Sequence, residues 1–584
     1  MSTYGEIRNN QLITTFGIGA IFNSRKNMSV MIRGLEWWNL SEMEELHEKR
    51  LEKKLGIKKF LQPRSDLGKV EIIPSVKFPE WLFCPTCGKL ASKNYFGNEN
   101  YCRRCYHKQS KDKKNLVPSR FVIVCPKGHI SDFPYSWWVH SGNSCDSPDL
   151  YISSSAKSVA LGSLIVECRN CKDDAGNPLS RNLSGIFRKR AFSRRKCSGK
   201  SPWLDSELKE DCQEIPRTLQ RGSSAVYYSI TESAISIPPF SSIYQDIIEK
   251  ALPAINQFND QREIQIKVLN GYCEEGGLEI GPEELLGMIE DQKAILEGQN
   301  EDLRTDEYKA LLHPIRFVQR SEFVAESETV PDSYRDLISK ITLVHKLRIV
   351  TALKGFNRII RDDTKIANLG KQNKGWLPGT ETLGEGVFIE LDRRILDNWK
   401  LSNEKFISDR INKLKTLQRK SSFDWIKDVN ITPEFILIHT FSHLFIKQLT
   451  FECGYSSSAL KERLYINNAT EENNNNMCGV LIYTASSDSE GGLGGLARQG
   501  KSDRLVDILN NSIENSNWCS TDPLCIENRI QSADSVSLAA CHSCSHLPES
   551  ACEHNNCFLD RGLVTGTHDE QDAGYFTFLK KEAQ

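Results

Sequence analysis

Nineteen cysteines in 584 residues constrain this chain more than any other feature, because many of them stand in Cys-x-x-Cys pairs. The opening Met-Ser-Thr-Tyr-Gly-Glu-Ile-Arg has no apolar core behind a basic patch, so a secretory signal is not expected and the protein is assigned to the cytoplasm. Thiols stay reduced there, and paired cysteines then read as metal ligands rather than disulfides. Zinc is the expected ion. No run of about 18 apolar residues exists, so no membrane span is expected.

Cys84-x2-Cys87 and Cys102-x2-Cys105 are separated by a short interval, and two such knuckles can fold together to place four thiolates tetrahedrally around zinc. A second candidate set is Cys168-x2-Cys171 with the more distant Cys197 and Cys212. Between these sets, Cys125-x3-His129 and His140-x4-Cys145 make a possible further site. Six cysteines crowd the end of the chain: Cys519, Cys525, Cys541, Cys544, Cys552 and Cys557. We expect Cys541 and Cys544 to form a knuckle completed by Cys525 and Cys552. All of these would be closed shells with no position for water, hence structural rather than catalytic, and each would contribute folding free energy.

The formal charge of −1 hides an asymmetry. From Cys84 to Arg217 there are 23 Lys and Arg against 13 Asp and Glu, whereas 273–307 carries 12 acids against Lys293 and Arg304. The acidic stretch reads as a solvated face. The basic stretch reads as a nucleic-acid footprint. Its candidate contacts are Arg103, Arg104, Lys113 and Lys114 after the first knuckles, and Arg188, Lys189, Arg190, Arg194, Arg195 and Lys196 in a loop that contains no acid. Phe187 and Phe192 lie among those charges and can stack on bases while the cations hold phosphates.

The fold class expected is α+β and multidomain, with zinc-ribbon or knuckle modules in the N-terminal half and an α/β zinc-binding domain at the C-terminus. The organisation reads as a β-rich region over 1–80, a basic zinc-ribbon region over 81–220, a β-segment and acidic helical region over 221–330, a helical middle over 331–428 and the C-terminal domain over 429–584. Within it, Leu12 to Phe22 and Met28 to Ile32 read as a hairpin, and Ser41 to Lys54 as a charged helix. Glu283 to Leu312, Ser333 to Leu353, Asn403 to Lys420 and Pro433 to Phe451 read as helices. Val480 to Ala485 reads as a strand.

Two catalytic patterns need weighing. Gly495-Leu-Ala-Arg-Gln-Gly500-Lys501-Ser502 satisfies the P-loop pattern after a strand and before a helix, but too little chain follows to complete a nucleotide-binding sheet. His439-x3-His443 shares one helix face and can bind a metal, yet Thr440 stands where a zinc protease needs Glu. A metal-dependent nuclease built on His439, His443 and nearby acids such as Asp488 and Glu490 is the alternative function.

Several stretches resemble the DrmB proteins of DISARM anti-phage defence islands. They include Arg8-x2-Gln11-Leu12-Ile13, Cys125-Pro-x-Gly128-His129-Ile130-x-Asp132-Phe133-Pro134, Arg221-Gly222-x2-Ala225-Val226-Tyr227, Val344-x-Lys346-Leu347-Arg348 and Gly384-Glu385-Gly386-Val387-Phe388. The C-terminal third resembles the zinc-binding domain that closes MrfA-type helicases, through His439, His443, Gly454-Tyr455, Glu462-Arg463, Asp522-Pro-Leu-Cys525, Cys541-His-Ser-Cys544 and Leu559-Asp560-Arg561. Ile349 and Asn357 depart from the family pattern, which has Glu and Thr there. The resemblance implies a non-catalytic partner of the Snf-type helicase DrmA, with which it would bind incoming phage DNA.

Overall fold

The computed structural model describes residues 7–581 except 24–28, 65–72, 98, 107–113, 144, 155–160, 205–208, 260, 277–278, 298–301, 315–320, 360, 363, 371–374, 422, 467–476, 485–494 and 529–534. The chain divides into two compact units. The first comprises Met1–Leu46, Lys59–Glu232 and Thr351–Thr380, and the second His47–Lys58, Ser233–Val350 and Glu381–Gln584.

The first unit consists largely of short antiparallel ribbons whose turns carry cysteines. Trp81–Phe83 lies between Leu90–Ser92 and Val117–Pro118, Phe121–Val124 between Ile130–Asp132 and Arg217–Gln220, and Leu164–Lys172 between Leu150–Ser154 and Pro178–Asn182. Ribbons this short bury little apolar surface, which is why such modules need metal to hold them. An aromatic core of Phe121, Phe133, Tyr135, Trp138 and Phe192 fills the space between two of them. Arg358 is fully buried in this unit and is satisfied by three carbonyls: Nε donates to Gly128 (2.7 Å), Nη1 to Val226 (2.5 Å) and Nη2 to Gly19 (2.8 Å). Burial pushes its pKa down to about 9.

The second unit is built on a mixed helix and sheet core. Its sheet contains the strands Cys478–Thr484 and Leu460–Ile466, paired antiparallel with each other, and the first of them pairs with the end of Trp376–Leu391. Beside them runs the helix Pro433–Cys453, capped by the Thr432 side chain, which accepts from Phe435 N–H, and closed at Gly454 with φ 73°. Apolar residues surround this helix on every side, so it is buried all round rather than along one stripe. A buried ion pair ties the helix Leu303–Leu312 to Leu460–Ile466: Arg463 donates from Nε and Nη2 to the two oxygens of Glu307, at 2.6 and 2.7 Å. Successive strand residues point to opposite faces, so Glu462 is turned the other way.

Several elements differ from the sequence expectation. Ser333 to Leu353 is not a helix: Ile338–Asn357 is one long strand, rich in Ile, Val and Thr and buried along most of its length. The expected hairpin is present but short: Ile21–Asn23 pairs antiparallel with Ser29–Ile32, whereas most of Leu12 to Phe22 belongs to the helix Asn9–Thr14 and the turn after it. Ser41 to Lys54 splits into the strand Met43–Leu46 and the helix Lys49–Leu55. The helices Glu404–Lys420 and Pro433–Cys453 and the strand Cys478–Thr484 follow the expectation closely. Among the described residues no helix is long and apolar enough to cross a membrane.

Candidate metal centres

Five groups of four side chains bring their ligand atoms within 4.8 Å of one another. In the first, Cys84 leaves the strand Trp81–Phe83 and turns through Gly88, whose N–H donates to the Cys84 carbonyl (2.9 Å), to present Cys84 and Cys87. Gly88 has φ 73°, and a Cβ there would stand 2.5 Å from the Ile152 carbonyl oxygen, so the turn requires glycine. Cys102 and Cys105 come from the short helical turn around Arg103–Tyr106, and Cys84 Sγ lies 3.7 Å from Cys105 Sγ.

The next two groups interleave in sequence. Cys125 and His129 flank the turn between Phe121–Val124 and Ile130–Asp132 and meet Cys197 and Cys212. Cys125 Sγ is 3.4 Å from His129 Nδ1 and 4.0 Å from Cys212 Sγ, and His129 Nε2 is held at 3.0 Å by the Glu210 carboxylate. A carboxylate on the far nitrogen is the usual device for fixing a ligand imidazole. His140 and Cys145 meet Cys168 and Cys171, with Cys145 and Cys171 sulfurs 3.5 Å apart. His140 Nδ1 donates to the Ser136 carbonyl (2.7 Å), which leaves Nε2 buried with no hydrogen-bond partner.

The structure therefore corrects the expected grouping. Cys168 and Cys171 do not join Cys197 and Cys212, and Cys125, His129, His140 and Cys145 do not form one site; each of the two quartets takes half of each set. The ribbons decide this, since Cys168 and Cys171 ride the strand Leu164–Lys172 while Cys125 leaves the strand Phe121–Val124.

The terminal cysteines also regroup. Cys519, Cys525, Cys541 and Cys544 converge, with Cys519–Cys541 at 3.6 Å and Cys525–Cys544 at 3.8 Å. Cys541 N–H donates to Cys544 Sγ (3.2 Å), which ties the two thiols of this pair together. Arg561, fully buried, braces this loop by donating to the Ala539 and Trp518 carbonyls at 3.0 and 3.2 Å. Cys552, expected here, instead lies beside His439, His443 and Glu462. Glu462 and Cys519 were not singled out as ligands from the sequence.

The donor sets fit zinc. Zinc–sulfur bonds of about 2.3 Å put tetrahedral sulfurs about 3.8 Å apart, which is the range observed. The thiol acidities tell the same story. A proton shared from Cys125, together with His129, pulls Cys197 down to about 4 while Cys125 is pushed up, and a proton from Cys525 with Arg561 nearby pulls Cys544 down to about 4 while Cys525 is pushed up. Sulfurs this close cannot all carry charge unless a cation replaces the protons between them.

A family model described as the MrfA Zn-binding domain matches residues 441–545, which contain all four cysteines of the terminal cluster. A domain of unknown function (DUF8724) matches residues 8–228, which contain the three N-terminal clusters. The chain is 30% identical over 585 residues to the DISARM protein DrmB of Bacillus paralicheniformis, covering 95% of this chain and 99% of that protein. The chain belongs to the DrmB family. Zinc is the metal that the matched domain binds, and the clusters are sites that can hold it.

The basic residues lie mostly at the surface of the first unit. Arg188, Lys189, Arg190, Arg194 and Lys196 are exposed, and none makes an ion pair with another described residue. Arg195 is partly covered near Trp137, with its guanidinium carbon 5.8 Å from the ring centre. Arg103 and Arg104 are exposed, Arg103 facing Glu99 at 3.5 Å and Arg104 donating to the Tyr151 hydroxyl at 3.3 Å. Lys114 is exposed, and Lys113 lies outside the described residues. Phe187 is 42% exposed, but Phe192 is core, packed on Phe133 and stacked on Trp137. Of these two rings, Phe187 is the one that can be offered to a base.

Among the described residues, the amides at the start of the P-loop pattern are taken up within the chain. The helix Gly495–Gln499 has its first amides filled from within, since Leu496 and Ala497 N–H donate to the Glu385 carboxylate at 2.9 and 3.2 Å. Gly491 to Gly494, Asp488 and Glu490 lie outside the described residues.

Proposed function

We propose that this chain is a non-catalytic subunit of a DISARM anti-phage complex that pairs with a Snf-type helicase, DrmA, and helps it grip foreign DNA. The carrying observation is the run Arg188 to Lys196, where Arg188, Lys189, Arg190, Arg194 and Lys196 are exposed cations without described acidic partners, in a unit whose cysteine and histidine quartets can hold metal. Counterion release from DNA rewards such a cluster at any sequence, and a metal-anchored loop loses little entropy when it binds. Arg103, Arg104, Lys113 and Lys114 are assigned to the same footprint.

The alternative of a metal-dependent nuclease is disfavoured by burial. His439 and His443 are 0% exposed and Glu462 is 2% exposed, so a phosphodiester has no path to them. The remaining clusters are closed sets of four, the arrangement of structural zinc. ATP hydrolysis is assigned to the helicase chain.

The test is the solution mass and DNA affinity of this chain co-expressed with the helicase encoded beside it. A stable 1:1 complex that binds DNA more tightly than either chain supports the proposal. Two separate species with unchanged affinity overturn it.

A further inference from the structure

The group formed by His439, His443, Glu462 and Cys552 differs from the other four. It has one sulfur rather than three or four, its side chains are the most deeply buried of the five sets, and two of its members lie outside the region matched by the zinc-binding domain. His439 and His443 stand one turn apart on the helix Pro433–Cys453, Glu462 comes from the strand Leu460–Ile466, and Cys552 from a turn near the C-terminus.

His439 Nε2 lies 3.3 Å from Cys552 Sγ and 3.2 Å from Glu462 Oε1, and His443 Nε2 lies 3.6 Å from the same oxygen. Zinc bonds of about 2.0–2.3 Å to N, O and S give tetrahedral edges of about 3.3–3.6 Å. The four atoms are thus spaced as ligands around a common centre.

Three of the four ligands are held by neighbours on their other side, whereas His439 Nδ1 is buried with no hydrogen-bond partner. His443 Nδ1 donates to the Ser545 carbonyl (2.8 Å), which leaves Nε2 unprotonated, and this buried nitrogen has no hydrogen-bond partner. Leaving such an atom unsatisfied costs about 1–3 kcal/mol. Glu462 Oε1 accepts from Glu553 N–H (3.0 Å), and its other oxygen accepts from the Ser442 hydroxyl. Cys552 Sγ accepts from His554 and Asn556 N–H, both at 3.3 Å, as a metal-bound thiolate does in a knuckle.

Charge completes the argument. With a divalent cation bound, one carboxylate, one thiolate and two neutral imidazoles would leave the buried site without net charge, which is the condition for burying such groups at low cost. The donor set of two nitrogens, one oxygen and one sulfur suits a borderline metal and not calcium or magnesium.

We propose that His439, His443, Glu462 and Cys552 bind a fifth zinc ion in a closed structural site that fastens the helix Pro433–Cys453 to the strand Leu460–Ile466 and to the C-terminal turn. This site is independent of the proposed DNA and helicase contacts. It is tested on the full-length chain by native mass spectrometry and by cadmium-113 NMR after exchange of zinc for cadmium. Cys552→Ser and Glu462→Gln should each carry one ion fewer than the unaltered chain, and the cadmium spectrum of the unaltered chain should hold one resonance far upfield of the others, the mark of a single sulfur ligand. An ion count unchanged in both variants overturns the proposal. Where the variants do not accumulate, the absence of the upfield resonance overturns it alone.

Discussion

His443 donates from Nδ1 to the carbonyl oxygen of Ser545, 2.8 Å away, and Ser545 directly follows Cys544 of the four-thiol cluster. The peptide that leaves one metal-ligand group therefore orients an imidazole of the next. Cys544→Ser is expected to lower the metal content by two ions rather than one, because the freed loop no longer presents the Ser545 carbonyl. Ion counting by native mass spectrometry decides it; a loss of one ion means the two groups load independently.

The regrouped N-terminal quartets make a sharper claim about His129. Its Nε2 is held by Glu210 at 3.0 Å, so Glu210→Gln should weaken zinc at Cys125, His129, Cys197 and Cys212 by about 10–100-fold. Competition with a chromophoric chelator measures this. Zinc at His140, Cys145, Cys168 and Cys171 should be unaffected, and equal weakening of both would contradict the grouping.

Reversal of Arg188, Lys189 and Arg190 to Glu should weaken DNA binding and reduce the slope of log affinity against log salt by up to about 3, roughly one unit for each phosphate that is no longer neutralised. Fluorescence anisotropy across a salt series measures both. Phe187→Ala should lower affinity for single strands while leaving the slope unchanged, because stacking carries no counterion term. An unchanged affinity in the triple variant removes this loop from the interface.

Asp132 accepts a hydrogen bond from Trp81 N–H at 2.9 Å, and burial pushes its pKa up to about 6 from an ordinary 3.8. A carboxyl raised on folding favours the native state most below pH 3.8 and loses that contribution as pH rises through 6. Asp132→Asn keeps an acceptor without the charge, so it should stabilise the protein by about 1–2 kcal/mol at pH 8, allowing for solvent screening, by about half as much at pH 5, and by almost nothing below pH 3.8. Urea midpoints across this range check the sign.

The legible parts of this molecule were the local ones. Cys84, Cys87, Cys102 and Cys105 lie close in sequence, so spacing alone brought them together, and the helix expected over Pro433 to Phe451 is present as Pro433–Cys453. Partners far apart were not legible. Cys125 and Cys212 are 87 positions apart and His439 and Cys552 are 113 apart, distances over which spacing carries no information. Glu462 stood out as part of the resemblance but not as a ligand, because a single acid in a strand is ordinarily solvated. Ile338–Asn357 was misread because much of it is buried on both faces, and a strand without alternation resembles a helix in its apolar pattern.

The metal-ligand groups also nest like parentheses. His140 to Cys171 fall wholly between His129 and Cys197, and Cys519 to Cys544 fall wholly between Glu462 and Cys552. A chain leaving the ribosome therefore completes each inner group before the last ligand of the outer one exists. Closing the inner loop first shortens the free length that the outer one must span, and so lowers its entropic cost. Order of assembly is in this way written into the spacing of the ligands, with each half of the protein locking from the inside outward.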